Sequence, residues 1–152
     1  LTSRPEILMT THQCARFNAC PKFCHEKAVK RICKYLLGTM DKCIIFRPDH
    51  MKGLECHVDA DFAGLYGREL PESPTCVKSR TGYIISVGGC YIMCKSQLQS
   101  TIALSTSKAE YGALSQAMRA IIQIRETLLE IINTVEAVDS QMKRPFGNKH
   151  GL

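Results

Sequence analysis

The stretch Leu54-Glu55-Cys56-His57-Val58-Asp59-Ala60-Asp61-Phe62 alternates strictly, with Leu54, Cys56, Val58, Ala60 and Phe62 on one side and Glu55, His57, Asp59 and Asp61 on the other. A period of two is the mark of a half-buried strand, because successive side chains leave opposite faces of the pleat. Upstream, Cys43 to Phe46 is a short apolar run and Pro48 to Gly53 is rich in turn formers, so the two segments read as a hairpin. Downstream, Gly64 to Ser79, with Gly67, Pro71 and Pro74, reads as a loop. Gly82 to Val87 and Cys90 to Lys95 then read as a third and a fourth strand around the Gly88-Gly89 turn. From Ser107 the period becomes helical and persists to about Ile132, beyond which Asn133 to Leu152 shows little periodicity and reads as loose.

Ahead of the strands lies a helical segment. Pro5 opens a short helix through Phe17, and Pro21 to Phe23 breaks it. A second helix follows from about His25 to Leu37, with Ala28, Val29, Ile32, Cys33, Leu36 and Leu37 at helical spacing and Lys27, Lys30, Arg31 and Lys34 on the other side. Gly38 stands where a left-handed cap belongs.

A chain of 152 residues, 45% hydrophobic, has room for one core but not for two full domains. Residues 1–52 hold ten Lys and Arg against four Asp and Glu, and residues 53–152 hold ten against ten, so the net +6 sits in the first third. That third is a candidate surface for a polyanion, or simply a solvated basic face. No run of about 18 uncharged apolar residues occurs, and the first residues lack a basic stretch followed by an apolar one. A membrane span and a signal peptide are therefore disfavoured, and an intracellular, cytoplasmic protein is expected. The nine cysteines are odd in number and scattered through apolar segments, which suits reduced thiols better than a disulfide framework. The start at Leu1 reads as a piece of a longer chain.

Two acids on one strand face, Asp59 and Asp61, stand roughly 7 Å apart and repel unless a cation compensates them. A hard divalent ion is one solution; a solvated strand end is the plainer one. Glu110 is the second candidate, since Leu114, Ala117, Ile121, Ile124 and Leu128 follow it at helical offsets and place it within the apolar stripe. Ser107-Lys108-Ala109-Glu110 also has capping-box spacing, in which Glu110 would bond the N–H of Ser107. Cys20 and Cys24, with Cys14, Cys33 and His25 nearby, have soft-ligand chemistry, so a zinc-stabilised interaction module is an alternative. No glycine-rich phosphate loop ending in Lys-Ser/Thr and no Gly-x-Ser-x-Gly elbow occurs, which argues against nucleoside triphosphatases and serine hydrolases.

Three runs together carry a family resemblance: Val58-Asp59-Ala60-Asp61-Phe62-Ala63-Gly64, Lys78-Ser79-Arg80-Thr81-Gly82-Tyr83, and Ile102-Ala103-Leu104-Ser105-Thr106-Ser107-Lys108-Ala109-Glu110-Tyr111. In this order they resemble the ribonuclease H domain of copia-type LTR retrotransposon Pol polyproteins. Ser3-Arg4-Pro5-Glu6-Ile7 and the helix from His25 to Thr39 resemble the end of the reverse transcriptase that precedes it. The likeness covers roughly residues 1–132. It implies an α/β (α+β) chain: a helical reverse-transcriptase tail over residues 1–40, then a ribonuclease H-like mixed sheet flanked by helices over residues 41–152, incomplete at its C-terminus.

The implied activity is metal-dependent hydrolysis of the RNA strand of an RNA/DNA hybrid, with Mg2+ or Mn2+ as cofactor and the rest of the Pol polyprotein as partner. Carried over by motif, Asp59 and Glu110 are the catalytic, metal-binding carboxylates, Asp61 is a weaker ligand, and Asp139 is a faint echo of a third catalytic acid. Lys27, Lys30, Arg31 and Lys34 are the candidate nucleic-acid contacts, and virus-like particles or the nucleus join the cytoplasm as implied locations. Phe62 and Cys94 stand where the family usually has tryptophan, and Lys108 where glutamate is common. Asn148-Lys149-His150 echoes a later family segment, but Gly151 follows where an acid is expected. A catalytically inactive nucleic-acid-binding remnant of the same fold is therefore the second reading.

Overall fold

The computed structural model describes residues 4–142. A 3-10 turn over Pro5–Ile7 runs into α1, Leu8–Ala15, and α2 spans Phe23–Leu37. Three strands follow, β1 (Leu54–Asp61), β2 (Arg80–Val87) and β3 (Cys90–Leu98), and then α3, Thr106–Met142. The chain is thus mixed α and β, and among the described residues the sheet is antiparallel throughout rather than mixed, in the order β1-β2-β3. Two compact units are present, Leu1–Ala117 and Met118–Leu152, so the helical pair and the sheet belong to the same unit.

The expected first hairpin does not form. Residues 43–46 carry no strand, and Ile45 and Phe46 stay 69% and 55% exposed. An apolar run without alternation offers the sheet no face, and β1 takes β2 as its partner instead, with Asp59 opposite Gly82 and Asp61 opposite Arg80. The Gly88-Gly89 turn is as read: Val87 pairs with Cys90, and φ is +59° and +75° at the two glycines, the backbone of a tight two-residue hairpin.

Residues directly opposite in an antiparallel ladder share a face. One face thus carries Cys56, Val58 and Ala60 with Thr81, Tyr83 and Ile85; the last three are buried and form the centre of the core. The start of α3 docks on this face through Gln99, whose Nε2 donates to Thr81 Oγ1 (3.1 Å) and to the Ala109 carbonyl (2.8 Å). Gln97 Nε2 adds a bond to Gln116 Oε1 (2.8 Å). Ala109, Ala113 and Ala117 are the buried residues of this contact, and Gly112 lets the helix come close, since a Cβ there would lie 3.3 Å from Gln99 Nε2.

This stripe starts one residue ahead of the one expected through Glu110 and meets it at Ala117. The small alanines, not the larger Leu114, face the strands, and Glu110 turns outward and is exposed. The cap differs too: Ser105 Oγ accepts from the Lys108 N–H (3.2 Å), two residues ahead of the expected Ser107. Gly38 closes α2 with φ −77°, a right-handed and not a left-handed cap. α3 continues to Met142, ten residues past the expected end at Ile132, because Asn133 to Met142 contains no breaker. The echo at Asn148-Lys149-His150 lies outside the described residues.

Candidate functional site

The face of the sheet opposite α3 carries the acids. Asp59 and Asp61 end β1 there, both exposed, beside Gly82 and Arg80 of β2. Because Gly82 has no side chain, a cavity of about 360 Å3 opens beside Asp59, lined also by His57 and Ser96 and bordered by Pro5, Glu6, Leu8 and Met9. The Asp61 carboxylate folds over the turn that follows β1: a Cβ at Gly64 would fall on it, so a larger residue there displaces the Asp61 side chain. Ala63 in the same turn holds φ +47°, an uncommon left-handed conformation for a residue with a side chain.

Arg80, 6% exposed, is the anchor between this face and α1. Its Nη2 donates to Gln13 Oε1 (2.6 Å), and its Nη1 donates to His12 Nδ1 (3.2 Å) and Ser96 Oγ (3.4 Å). Burial and the neighbouring Arg16 pull the guanidinium below its ordinary value, while Asp61 and Glu69 oppose them. Arg16 grips Glu69 with both arms (2.7 and 3.0 Å) and donates to Thr75 Oγ1 (2.7 Å), and Gln13 Nε2 donates to the same carboxylate (3.1 Å). That grip holds Glu69 below the usual carboxylate range. Burial, then Arg80 and Arg16, push His12 down, so it sits neutral between two cations. Such a two-armed pair, with each side chain 14% exposed, is of the strong kind.

The remaining sequence candidates lie elsewhere. Glu110 is on the exposed side of α3, whose start packs on the other face of the sheet from Asp59. Asp139 is an exposed helical position in the unit Met118–Leu152, within a segment the sequence read as loose. Lys27, Lys30, Arg31 and Lys34 line a shallow depression of about 480 Å3 on α2. Two are engaged locally, Lys30 with Glu26 one turn earlier and Lys27 over the Phe23 ring at 4.7 Å.

Among the described residues no three His, Cys, Asp or Glu side chains are placed to hold a metal ion. Two exposed strand carboxylates and an outward glutamate from the opposite layer do not fit a two-cation centre, which needs convergent oxygen ligands. Cys20, Cys24 and Cys33 are exposed and Cys14 is partly so, and they form no zinc site. Among the described residues no helix is long and apolar enough to cross a membrane. Sequence reading missed Gln99, Arg16 and Glu69. Gly112, a glycine inside a helical pattern, was the available signal of a close approach to Gln99; nothing local marks a pair 53 residues apart.

No protein-family model and no solved structure matches the chain. Among curated proteins it is 34% identical over 131 residues, 85% of its length, to the retrovirus-related Pol polyprotein from transposon TNT 1-94 of Nicotiana tabacum. It is 28% identical over 129 residues to the corresponding polyprotein from transposon RE1 of Arabidopsis thaliana. The chain spans only 9% and 8% of these two polyproteins. It is also 28% identical over 122 residues, 80% of each chain, to secreted RxLR effector protein 161 of Plasmopara viticola. The relatives named Pol polyproteins match four-fifths or more of the chain, so this is a retrotransposon-related protein.

Proposed function

We propose that the chain is the ribonuclease H region of a copia-type Pol polyprotein, preceded by a reverse-transcriptase tail, and that in this form it binds an RNA/DNA hybrid without cutting it. The observation that carries the reading is the order of parts: a strand with Asp59 near its end, a Gly-Gly hairpin, and a helix with Glu110 in its second turn, in a chain related to Pol polyproteins. The basic face of α2 supplies the binding. Lys27, Arg31 and Lys34 recur at offsets of four and three residues, so they lie along one side of the helix and can follow a phosphate backbone. Contacts to the 2'-hydroxyl would separate RNA from DNA. Magnesium or manganese belongs to the implied hydrolysis, but the described residues do not converge on a cation, and no hydrolytic step is assigned to this chain.

The test is hybrid affinity, by fluorescence anisotropy, against salt concentration, with a magnesium-dependent cleavage assay on the same labelled hybrid. Affinity is expected to fall steeply with salt, and Lys27→Glu with Lys34→Glu to flatten that slope. An unchanged slope makes α2 an ordinary solvated helix. Cutting that is lost in Asp59→Asn and in Glu110→Gln would overturn the non-cutting part and restore the metal site.

A further inference from the structure

We infer that the helical pair of residues 4–40 is a lid, docked on the carboxylate face of the sheet by a polar latch and able to swing off as a unit. The inference does not rest on the ribonuclease reading. Its first support is how little apolar surface holds the pair down. Neither α1 nor α2 has a buried residue, and in the turn before α1 only Ile7 is buried. The start of α3, by contrast, is fixed to the other face by three buried alanines.

The second support is the nature of the attachment. α1 is the helix of the pair that meets the sheet, through His12 and Gln13 on Arg80, and Gln13 with Arg16 at its C-terminus also holds Glu69 in the loop after β1. The two helices are tied to each other more firmly: Arg4 donates to Thr39 Oγ1 (2.6 Å) and its carbonyl (3.2 Å), and Phe17 stacks on His25 at 4.1 Å. They therefore move together. The third support is the space beneath, the cavity of about 360 Å3 between α1 and Asp59. Residues 42–48, which carry no helix or strand, connect the pair to the sheet and serve as its hinge. A unit held by few buried apolar groups and by polar contacts opens at lower free energy than the core.

Opening changes the charge of the surface as well as its shape. Arg80, sequestered when the lid is down, becomes available beside Asp59 and Asp61, and Arg16, carried off with the lid, leaves Glu69. A polyanion that competes with Glu69 for the Arg16 guanidinium drives the lid open.

The experiment follows thiols in the full chain without nucleic acid. Cys94 lines the cavity under the lid, whereas Cys56 sits on the opposite face of the sheet. Maleimide labelling, read peptide by peptide by mass spectrometry, is compared in the parent, Glu69→Gln and Gln13→Ala. The expected result is labelling of Cys94 at least tenfold faster in both variants, with Cys56 unchanged. Cys94 no faster in either variant overturns the latch. Cys94 and Cys56 rising together overturns the lid, because the helical pair is then part of the core and the whole sheet loosens.

Discussion

Gln99→Leu tests the joint that sets the start of α3 on the sheet. Gln99 is 4% exposed and its amide nitrogen makes two bonds, to the Thr81 hydroxyl and to the Ala109 carbonyl. Leucine keeps the volume and removes both. Each bond contributes about 1 kcal/mol net, and the orphaned Thr81 hydroxyl, on a residue with 0% exposure, costs about 1–3 kcal/mol more. Burying leucine in place of an amide returns about 1–2 kcal/mol. The balance is a loss of about 2 kcal/mol, read as a lower urea midpoint at unchanged slope in far-UV circular dichroism. The partner variant is Thr81→Val: in the double substitution no hydroxyl is orphaned, so the combined loss falls short of the sum of the two by about 1 kcal/mol or more. A loss below about 0.5 kcal/mol for Gln99→Leu, or strict additivity in the pair, would refute the assignment of Gln99 as the joint.

Gly88→Ala forces φ +59° on a residue with a side chain and brings its Cβ to 3.3 Å from the Asp49 carbonyl, so thermal unfolding should register a loss of about 1–2 kcal/mol. Ala63→Gly acts in the opposite sense at φ +47°: the relief of about 1–2 kcal/mol exceeds the glycine entropy cost, and a gain of about 0.5–1 kcal/mol is expected in the same assay. Stability should fall with acid in two stages, measured as urea midpoint against pH. His12 is held below its ordinary value near 6.5, so the unfolded chain takes the proton first and the loss begins as pH drops below that value; His12→Asn removes this first stage. Glu69 is likewise held below 4.5, so the stability it adds is complete above that pH and disappears as pH falls through its lowered value; Glu69→Gln removes the second stage.

What was legible in the sequence is what period and turn chemistry encode locally. β1 alternates because one face is half-buried, and it was read to within one residue, Phe62 lying past its end; the Gly-Gly pair announced a turn that needs positive φ twice. Cys43 to Phe46 misled because apolar content without alternation does not choose a face. The phase of α3 misled for a related reason: a stripe drawn through the largest apolar residues ran through Leu114, while close packing against Thr81 and Gln99 selects alanine and glycine. The carboxylates show the same division. That Asp59 and Asp61 share a face follows from their spacing alone, but what lies across that face does not, because α1 reaches it through Arg16 and Gln13 and is separated from Glu69 by 53 and 56 residues. Such contacts leave no periodic trace in either partner. Polar residues in a short helix and in a proline-containing loop look like surface when each is read by itself. Their pairing emerges only when the meander places Arg80 and the loop after β1 beside the same helix. A carboxylate pair on a strand is thus weak evidence for a metal centre until the element over it is known. Here Arg16 at the end of α1 and Arg80 of β2 stand by the face and Glu6 reaches the cavity beside Asp59, yet among the described residues no three His, Cys, Asp or Glu side chains are placed to hold a metal ion.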